Sequence, residues 1–379
     1  MIFFHNRFMF ALSLVRLWIM FGGAVRGPKS SLNCVVDFMV TTVPGLEDIV
    51  VEEAREKFDV LDSMPRFGGV GGRVLLSVPI SQYDRIFTLR SIEHVIELIG
   101  TFEVKSDKSG LDQIYRGVYG FDIPLGSTFR VTCERVGSHE FTSIDVQRVA
   151  GQALVDKYSR KVNLKNPKTI VRVDVSHNLC VLGIQKTRVS LRIRYPRAFQ
   201  HRSALNPVIA YAMLRIASVR PGDKVLDPFC GSGTIIIEAA QVWRGLELIG
   251  VDISPKSIEG AWMNAEAAGV RDKVKFIVGD ARRLERALPM GWRADRVVSN
   301  LPFGIRSGRL KVIPTMYKNF LRSLRQFLAE GSRVCLLTTH NSLLENIAKE
   351  LGYEVIASRW ILQGGLKTWI VLLSHKTYG

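Results

Sequence analysis

The sequence predicts an α/β protein: an open, mostly parallel sheet with an antiparallel last strand in the carboxyl-terminal half, preceded by smaller α+β modules. Three observations carry this reading. After Asn206, short apolar runs alternate regularly with helical segments, the rhythm of strand–helix–strand units. Near the carboxyl terminus two apolar runs are separated only by Gly364-Gly365, too short for a crossover, so that pair must be an antiparallel hairpin. Before Asn206, strands and helices occur without strict alternation, which reads as α+β.

In chain order, Val35 to Val43 reads as a strand, Pro44-Gly45 as a turn and Leu46 to Phe58 as an acidic helix. Arg73 to Val78 is a second strand, and Ser81 to Leu98 carries apolar residues at helical spacing. A strand follows at Phe129-Arg-Val-Thr-Cys, then a helix from Ser143 with Ile144, Val149 and Leu154 expected on one side. Thr169 to Val175 and Cys180 to Ile184 are further strands. Asn206 caps and Pro207 opens a helix to about Ala217. Strands are expected at Lys224 to Asp227, Leu246 to Asp252, Val274 to Asp280, Arg296 to Asn300, Arg333 to Thr338, Tyr353 to Trp360 and Lys367 to Ser374. Helices are expected at Thr234 to Trp243, from Ser254-Pro255 to near Gly269, and at Pro314 to Ala329. The organisation expected is an extension over 1–34, domains over 35–100 and 101–195, and a larger domain over 196–379.

Length and composition exclude a disordered or fibrous chain: 379 residues with 47% hydrophobic and 23% charged side chains can bury a sizeable core. The charge is unusual. Against 35 acidic residues stand 52 basic ones, a net +17, which favours a polyanionic partner. The five cysteines (Cys34, Cys133, Cys180, Cys230 and Cys335) are scattered and form no C-x-x-C pair, which argues against a disulfide framework or a zinc site and for a reducing compartment. Phe8 to Val25 is apolar, which suits a signal peptide or a short membrane span, but Arg16 interrupts it and no cleavage pattern closes it. A loose extension, or a start placed too far upstream, is the expectation for 1–34, with a membrane tether as the alternative. Between Lys186 and Arg202 lie Lys186, Arg188, Arg192, Arg194, Arg197 and Arg202 with no acid, interleaved with Tyr195, Phe199 and His201. Such a connector suits phosphate contacts and base stacking.

Two motifs carry chemistry. Asp227-Pro-Phe-Cys-Gly-Ser-Gly-Thr234 lies at a strand's carboxyl end and opens a helix, and Gly231 and Gly233 let a ligand approach the backbone. Asp252, at the next strand end, is placed for ribose hydroxyls. Ile236 stands where a dinucleotide fingerprint has its third glycine, and Asp227 would repel a pyrophosphate. A cationic ligand suits the acid better; S-adenosylmethionine, with a sulfonium, an ammonium and no phosphate, fits. Asp280, in Val278-Gly-Asp-Ala281, is placed to accept from an adenine amino group. The second motif, Asn300-Leu-Pro-Phe-Gly304, ends the fourth strand, so the four strand-end groups converge in the crevice where such sheets bind ligands. Pro302 biases Leu301 toward extended geometry. The side-chain oxygen of Asn300 and the carbonyl of Leu301 can then accept both hydrogens of an exocyclic amine, with Phe303 stacked on the base.

These residues resemble a known family. Asp227 to Thr234 looks like the S-adenosylmethionine motif of class I methyltransferases, which are Rossmann-like, and Asn300 to Gly304 looks like the (N/D)-P-P-(Y/F) signature of amino-methyltransferases. Leu301 replaces the first proline, where only a backbone carbonyl faces the amine. The segment from Val35 to Tyr195 is similar to the ferredoxin-like plus THUMP module of tRNA-modifying enzymes, through Phe129 to His139 and Ser190 to Tyr195. The resemblance implies a tRNA guanine-N2-methyltransferase using S-adenosylmethionine and, in the branch most similar, methylating nucleotide 6 of the acceptor stem. It also implies Asp227, Phe229, Gly231, Gly233, Thr234, Asp252, Ile253, Asp280, Ala281 and Asn300 around the cofactor, and Asn300, Leu301, Pro302 and Phe303 around the base. For the RNA it adds Arg188, Arg192, Arg194, Arg197 and Arg202. The expected partner is tRNA, gripped at its acceptor stem and 3′ end. No DNA, metal or stable membrane association is expected, and a cytoplasmic monomer is. Enzymes for tRNA guanine 10 or 23S rRNA guanine N2, and a non-catalytic RNA-binding protein of the same fold, are the alternatives.

Overall fold

A computed structural model describes residues 35–199, 204–304 and 312–375. The extension over 1–34, with Cys34, lies outside them, as do His201 and Arg202. The chain forms two compact bodies. One comprises 35–36, Pro79–Ser81 and Glu97–Gln185; the other comprises Asp37–Val78, Gln82–Ile96 and the chain from Lys186 onward.

In the first body, strands β8 (Thr169–Ser176) and β9 (Leu179–Gln185) form an antiparallel hairpin, β5 (Thr128–Thr132) joins β8 in parallel, and the two-residue strands β6 (Arg135–Val136) and β7 (Lys161–Val162) pair in parallel with β8 and β5. Two helices, α2 (Gly110–Gly120) and α3 (Ser143–Tyr158), pack with them around Ile114, Val118, Phe129, Val146, Leu154 and Val173. Thr142 starts α3 with a capping box: its hydroxyl accepts from the Asp145 amide while the Asp145 carboxylate takes the Thr142 amide. The buried stripe is Val146, Ala150, Ala153 and Leu154. Ile144, expected on that side, is 72% exposed, because two residues turn a helix by about 200° and put Ile144 opposite Val146.

In the second body, strand β1 (Val35–Thr41) is followed by helix α1 (Glu47–Lys57), the hairpin of β2 (Asp62–Pro65) and β3 (Arg73–Pro79), and β4 (His94–Glu103). Strands β1 and β4 each begin in one body and end in the other. The helical spacing read over Ser81 to Leu98 is corrected: a 3-10 segment ends at Thr88 and the chain becomes a strand at His94. The β-branched Val95 and Ile96, both fully buried, favour that extended state.

The rest of this body is a seven-stranded sheet in the order β12 (Val274–Val278), β11 (Glu247–Asp252), β10 (Lys224–Asp227), β13 (Ala294–Asn300), β14 (Leu328–Thr338), β16 (Leu366–His375) and β15 (Tyr353–Gln363). Its first five strands are parallel; β16 runs antiparallel to both neighbours, and the Gly364-Gly365 turn requires this of its pairing with β15. Neighbouring strand residues face opposite sides. Leu248, Val298, Cys335 and Leu337 enter one apolar cluster, with α4 (Pro207–Ile216), α5 (Thr234–Val242) and α6 (Pro255–Ala267). Ile249, Val297, Val334 and Leu336 enter the other, with α7 (Ile313–Leu324) and α8 (Asn341–Glu350). Asn206 caps α4 as expected, its side chain accepting from the Val208 amide ahead of Pro207. Helix α8, not anticipated from the sequence, supplies Leu344, Ile347 and Ala348 to the second cluster.

Long-range polar contacts tie the amino-terminal segment into this body. The Arg90 guanidinium donates to Glu238 at 2.6 and 2.8 Å, and Glu238 is 2% exposed. Arg359 pairs with Asp48 at 2.8 and 2.6 Å, 311 positions away, and the Leu362 amide donates to the Pro44 carbonyl. Gly45 has φ +99°, and a Cβ there would lie 2.5 Å from the Trp360 carbonyl oxygen, so glycine is required.

Gly233 and Gly222 separate conformation from packing. Both have positive φ, +83° and +88°, but a Cβ at Gly233 would meet Phe276 Cζ at 2.8 Å, whereas one at Gly222 meets nothing within 4 Å. Gly222→Ala is expected to cost about 1–2 kcal/mol, the left-handed penalty alone. Gly233→Ala is expected to cost about 1–3 kcal/mol more through overpacking. Equal shifts in urea unfolding free energy would show that Phe276 yields freely.

Candidate functional site

The site is built at the carboxyl edge of the parallel strands. Asp227 ends β10, Asp252 ends β11, Asn300 ends β13, and Asp280 follows β12 by two residues. These four strands are neighbours in the sheet, so their terminal groups share one edge, where open α/β sheets bind ligands. Asp252 braces the glycine loop: its carboxylate accepts the Gly231 amide at 3.0 Å and the Ser254 amide at 2.9 Å. Gly231, at φ +49°, has nothing within 4 Å of where a Cβ would stand, leaving its approach open.

Asp227 is 1% exposed, and its Oδ1 accepts the Ser299 hydroxyl at 2.6 Å and the Phe229 amide at 3.2 Å. Burial dominates and pushes its pKa up to about 7, against the lowering pull of those two donors and with help from the Asp252 charge. Once ionised, this buried acid attracts a cation, and a cation beside it in turn favours the ionised form. Asp280 is different: its carboxylate takes a forked contact from Arg282, at 2.9 and 2.6 Å, which holds its pKa below the usual range. Its Oδ1 also caps the short helical turn at the Arg282 amide.

A cavity of about 910 Å³ opens above this edge. Of the residues expected from the sequence, Phe229, Gly231, Asp252, Ile253, Asp280, Ala281, Asn300, Leu301, Pro302 and Phe303 line it. A smaller pocket of about 40 Å³ adjoins Asp227, Phe229, Gly231, Thr234 and Asn300. Gly233 lines neither cavity; its place against Phe276 and Ala261 makes it a packing glycine. Among the described residues, the Oδ1 of Asn300, a residue that lines both cavities, is buried without a hydrogen-bond partner, an uncommon state for an acceptor.

The loop after Asn300 is fixed by groups that sequence reasoning did not single out. Its Leu301 amide continues the sheet by donating to the Leu337 carbonyl at 3.0 Å. Tyr317, on α7, reaches the Pro302 carbonyl at 3.2 Å and shares a 2.9 Å hydrogen bond with Thr338. The His340 Nε2 lies 2.9 Å from the Phe303 carbonyl and so donates to it, while the His340 amide donates to Thr338 Oγ1. Thr315, Met316 and Asn319 of α7, and Gln363, Gly364, Leu366 and Thr368 of the last hairpin, add to the wall. Their spacing carried no motif, and only the fold brings them here.

The basic connector divides. Arg188 is exposed, and Arg192 is 53% exposed with its guanidinium 3.7 Å from Glu93. Arg197 is partly buried and reaches the Leu205 carbonyl at 3.3 Å. Arg194 is a correction: only 8% of its side chain is exposed, and it binds the carbonyls of Leu191 and Arg90 beside Glu238. Its charge is spent inside the fold. Phe199 is likewise not a free stacking ring, since it lies against Gly260 with its backbone hydrogen-bonded in both directions to Asn264 at 3.0 Å. Tyr195 packs on the first apolar cluster. Arg202 lies outside the described residues.

Comparison with known proteins agrees with this architecture. Residues 194–368 match the RMKL-like methyltransferase domain, and residues 108–185 the THUMP domain. A tRNA (guanine(6)-N2)-methyltransferase from Archaeoglobus fulgidus is 31% identical, over 91% of this chain and 94% of that protein. One of the same name from Thermus thermophilus is 35% identical, over 88% and 98%. Among solved structures, TrmN from Thermus thermophilus superposes with a TM-score of 0.77 at 33% identity, covering 90% of this chain and all of that one. SMU.472 complexed with SAH shares the fold, at 19% identity and a TM-score of 0.74, covering 92% of this chain and all of that one. Among the described residues no helix is long and apolar enough to cross a membrane.

The raised pKa of Asp227 has two consequences with defined sign. In the free protein, its contribution to stability is fully present below the ordinary carboxylate pKa of 3.8 and is lost as pH rises through about 7. Binding of a cationic cofactor end requires the ionised form. S-adenosylhomocysteine, which keeps the ammonium, is therefore expected to bind roughly tenfold tighter at about pH 7.5 than at about pH 6, with proton release at the lower pH. Calorimetry in two buffers checks this; Asp227→Asn should flatten the dependence, and a flat wild-type profile would remove Asp227 from the contact.

Proposed function

Because this chain belongs to the family of THUMP-bearing, RMKL-like guanine-N2 methyltransferases, we propose that it transfers a methyl group to the exocyclic N2 of a guanosine in tRNA, at position 6 of the acceptor stem. The observation that carries the reading is the buried, unpartnered Oδ1 of Asn300 at the wall of a cavity whose adjoining strand ends supply three carboxylates. The names borne by the relatives above support the choice of tRNA and of position 6.

S-adenosylmethionine is the methyl donor, and when bound it supplies an electrophilic methyl on a sulfonium. The chain's own residues do the rest. Asp227 and the Gly231 loop receive the cationic end, Asp252 the ribose, and Asp280 the adenine amine, beside Phe229, Ile253 and Ala281. Asn300 Oδ1 and the Leu301 carbonyl accept the two hydrogens of the guanine amine, which orients the nitrogen and stabilises the positive charge that develops as it attacks. Phe303 stacks on the base, held through its carbonyl by His340. The amine is shared in pairing within a duplex, so the target guanosine leaves the stack to reach this cavity.

The THUMP segment grips the 3′ end of the tRNA, and the exposed Arg188 and Arg192 meet backbone phosphates. The protein acts as a cytoplasmic monomer.

Nucleoside mass spectrometry of unmodified tRNA, after incubation with the protein and S-adenosylmethionine, is expected to show N2-methylguanosine, and fragment mapping to place it at nucleotide 6. Asn300→Ala should lower transfer by roughly 100-fold or more, the scale of losing one charge-stabilising partner, while S-adenosylhomocysteine still binds. Loss of cofactor binding as well would reassign Asn300 to the cofactor. The double variant Arg188→Ala/Arg192→Ala should weaken tRNA binding and reduce the slope of log affinity against log salt by up to about 2, near one unit per phosphate contact. An unchanged slope would place both side chains off the RNA.

A further inference from the structure

Among the described residues, three that line the large cavity carry a buried polar atom without a hydrogen-bond partner: Asn300 Oδ1, Gln363 Oε1 and Thr368 Oγ1. The first is explained by the substrate amine. The other two belong to the carboxyl-terminal hairpin and have no role in the chemistry described so far. Unpaired polar atoms in a protein interior are costly and uncommon. Two on one hairpin face, both in the wall of a substrate cavity, point to a ligand edge that carries complementary groups.

The hairpin's pairing fixes where they stand. Gln363 lies opposite Leu366 and Ile361 opposite Thr368, so positions 361, 363, 366 and 368 share one face. Gln363, Leu366 and Thr368 of that face line the cavity, and Thr368 is completely buried. The other face is spent differently: Lys367 Nζ sits 5.3 Å from the Trp360 ring centre and 5.2 Å from that of Trp369. Asn300 pairs with Leu337, and Leu337 with Ile370, which places Asn300 two strands from the hairpin strand that carries Thr368. From strand spacing and rise, the Cα atoms of Asn300 and Thr368 stand roughly 12 Å apart, a span that one purine held between two side chains fills.

Resting on the reading of a guanine-N2 methyltransferase, we propose that Gln363 and Thr368 are specificity-determining residues that read the N1–H and O6 edge of the target guanine. With its amine held by Asn300, the base offers a donor at N1 and an acceptor at O6. The Gln363 carboxamide oxygen accepts N1–H, and the Thr368 hydroxyl donates to O6. An adenine in the same place would present its N1 lone pair to that oxygen and its amino donor to the donating hydroxyl, and would pair only if the carboxamide turned over and the hydroxyl rotated. A site built to pair a polar substrate group rejects an analogue lacking it far more strongly than an apolar pocket can.

The test compares two tRNA transcripts with the full-length protein: one carrying guanosine at the methylated position, the other 2-aminopurine, which keeps the N2 amine but lacks N1–H and O6. The wild type is expected to favour guanosine by at least about a hundredfold in kcat/KM. Gln363→Leu and Thr368→Val should each narrow that ratio by about tenfold or more by lowering the guanosine rate alone, with S-adenosylhomocysteine affinity unchanged. Gln363→Glu, which keeps an acceptor, should retain the preference. Equal losses on both transcripts, or an unchanged ratio, would overturn the assignment while leaving the functional reading intact. A wild type that methylates no guanine N2 overturns the functional reading and this assignment with it.

Discussion

One buried hydrogen bond joins the two halves of the site. The Ser299 hydroxyl donates to Asp227 at 2.6 Å, with Ser299 fully buried and Asp227 nearly so. A carboxyl group in that position must be satisfied, because an unpaired one is among the costliest groups to bury. Satisfying it fixes more than the acid. Ser299 immediately precedes Asn300 on β13, and β13 pairs in parallel with β10, which ends at Asp227. The acid of the glycine loop and the Asn300 carboxamide are therefore set by one contact, and the register of two adjacent strands fixes their separation.

Much of this was legible in the sequence where local chemistry decides. The Asn206-Pro207 helix start, the glycine loop, the Gly364-Gly365 hairpin and the carboxyl-edge positions of Asp227, Asp252, Asp280 and Asn300 all depend on neighbours a few residues away. What was not legible depends on partners distant in sequence. Ser299 reads as an ordinary strand residue until β10 lies beside it. His340, Tyr317 and Thr338 hold the Asn300 loop from a strand end and a helix that carry no motif. Gln363 and Thr368 acquire meaning only when the hairpin faces the cavity. Ile144 failed for a related reason: apolar composition proposes a helix face, but the packed neighbours choose it.

Charge needs the same discrimination. The net +17 is a sum, and part of the basic side that contributes to it is internal. Arg90 and Arg194 gather around Glu238, a carboxylate 2% exposed, with only 21% and 8% of their own side chains exposed and their guanidinium groups committed to that acid and to backbone carbonyls. Removing one member of such a cluster strands the charge of another in a region of low dielectric. The electrostatic footprint available to an RNA is thus smaller and more localised than composition suggests. Within the connector it rests on side chains such as Arg188 and Arg192, while Arg194, Tyr195 and Phe199 anchor that connector to the catalytic body.

The pairing of Asp48 with Arg359 bears on how the chain is made. The two residues are 311 positions apart, and the Leu362 amide meets the Pro44 carbonyl across a comparable interval. At a synthesis rate of about 5–20 residues per second, the amino-terminal segment waits roughly 15–60 s on the ribosome before these partners emerge. For that time Val43, Leu46 and Ile49 can pack on chain already made, such as Val208, Ile209 and Ile235 of the same apolar cluster, but not yet on Ile361. The catalytic body consequently closes at the end of translation, and a chain that stops short of the last hairpin leaves its first-made segment without the residues that complete it.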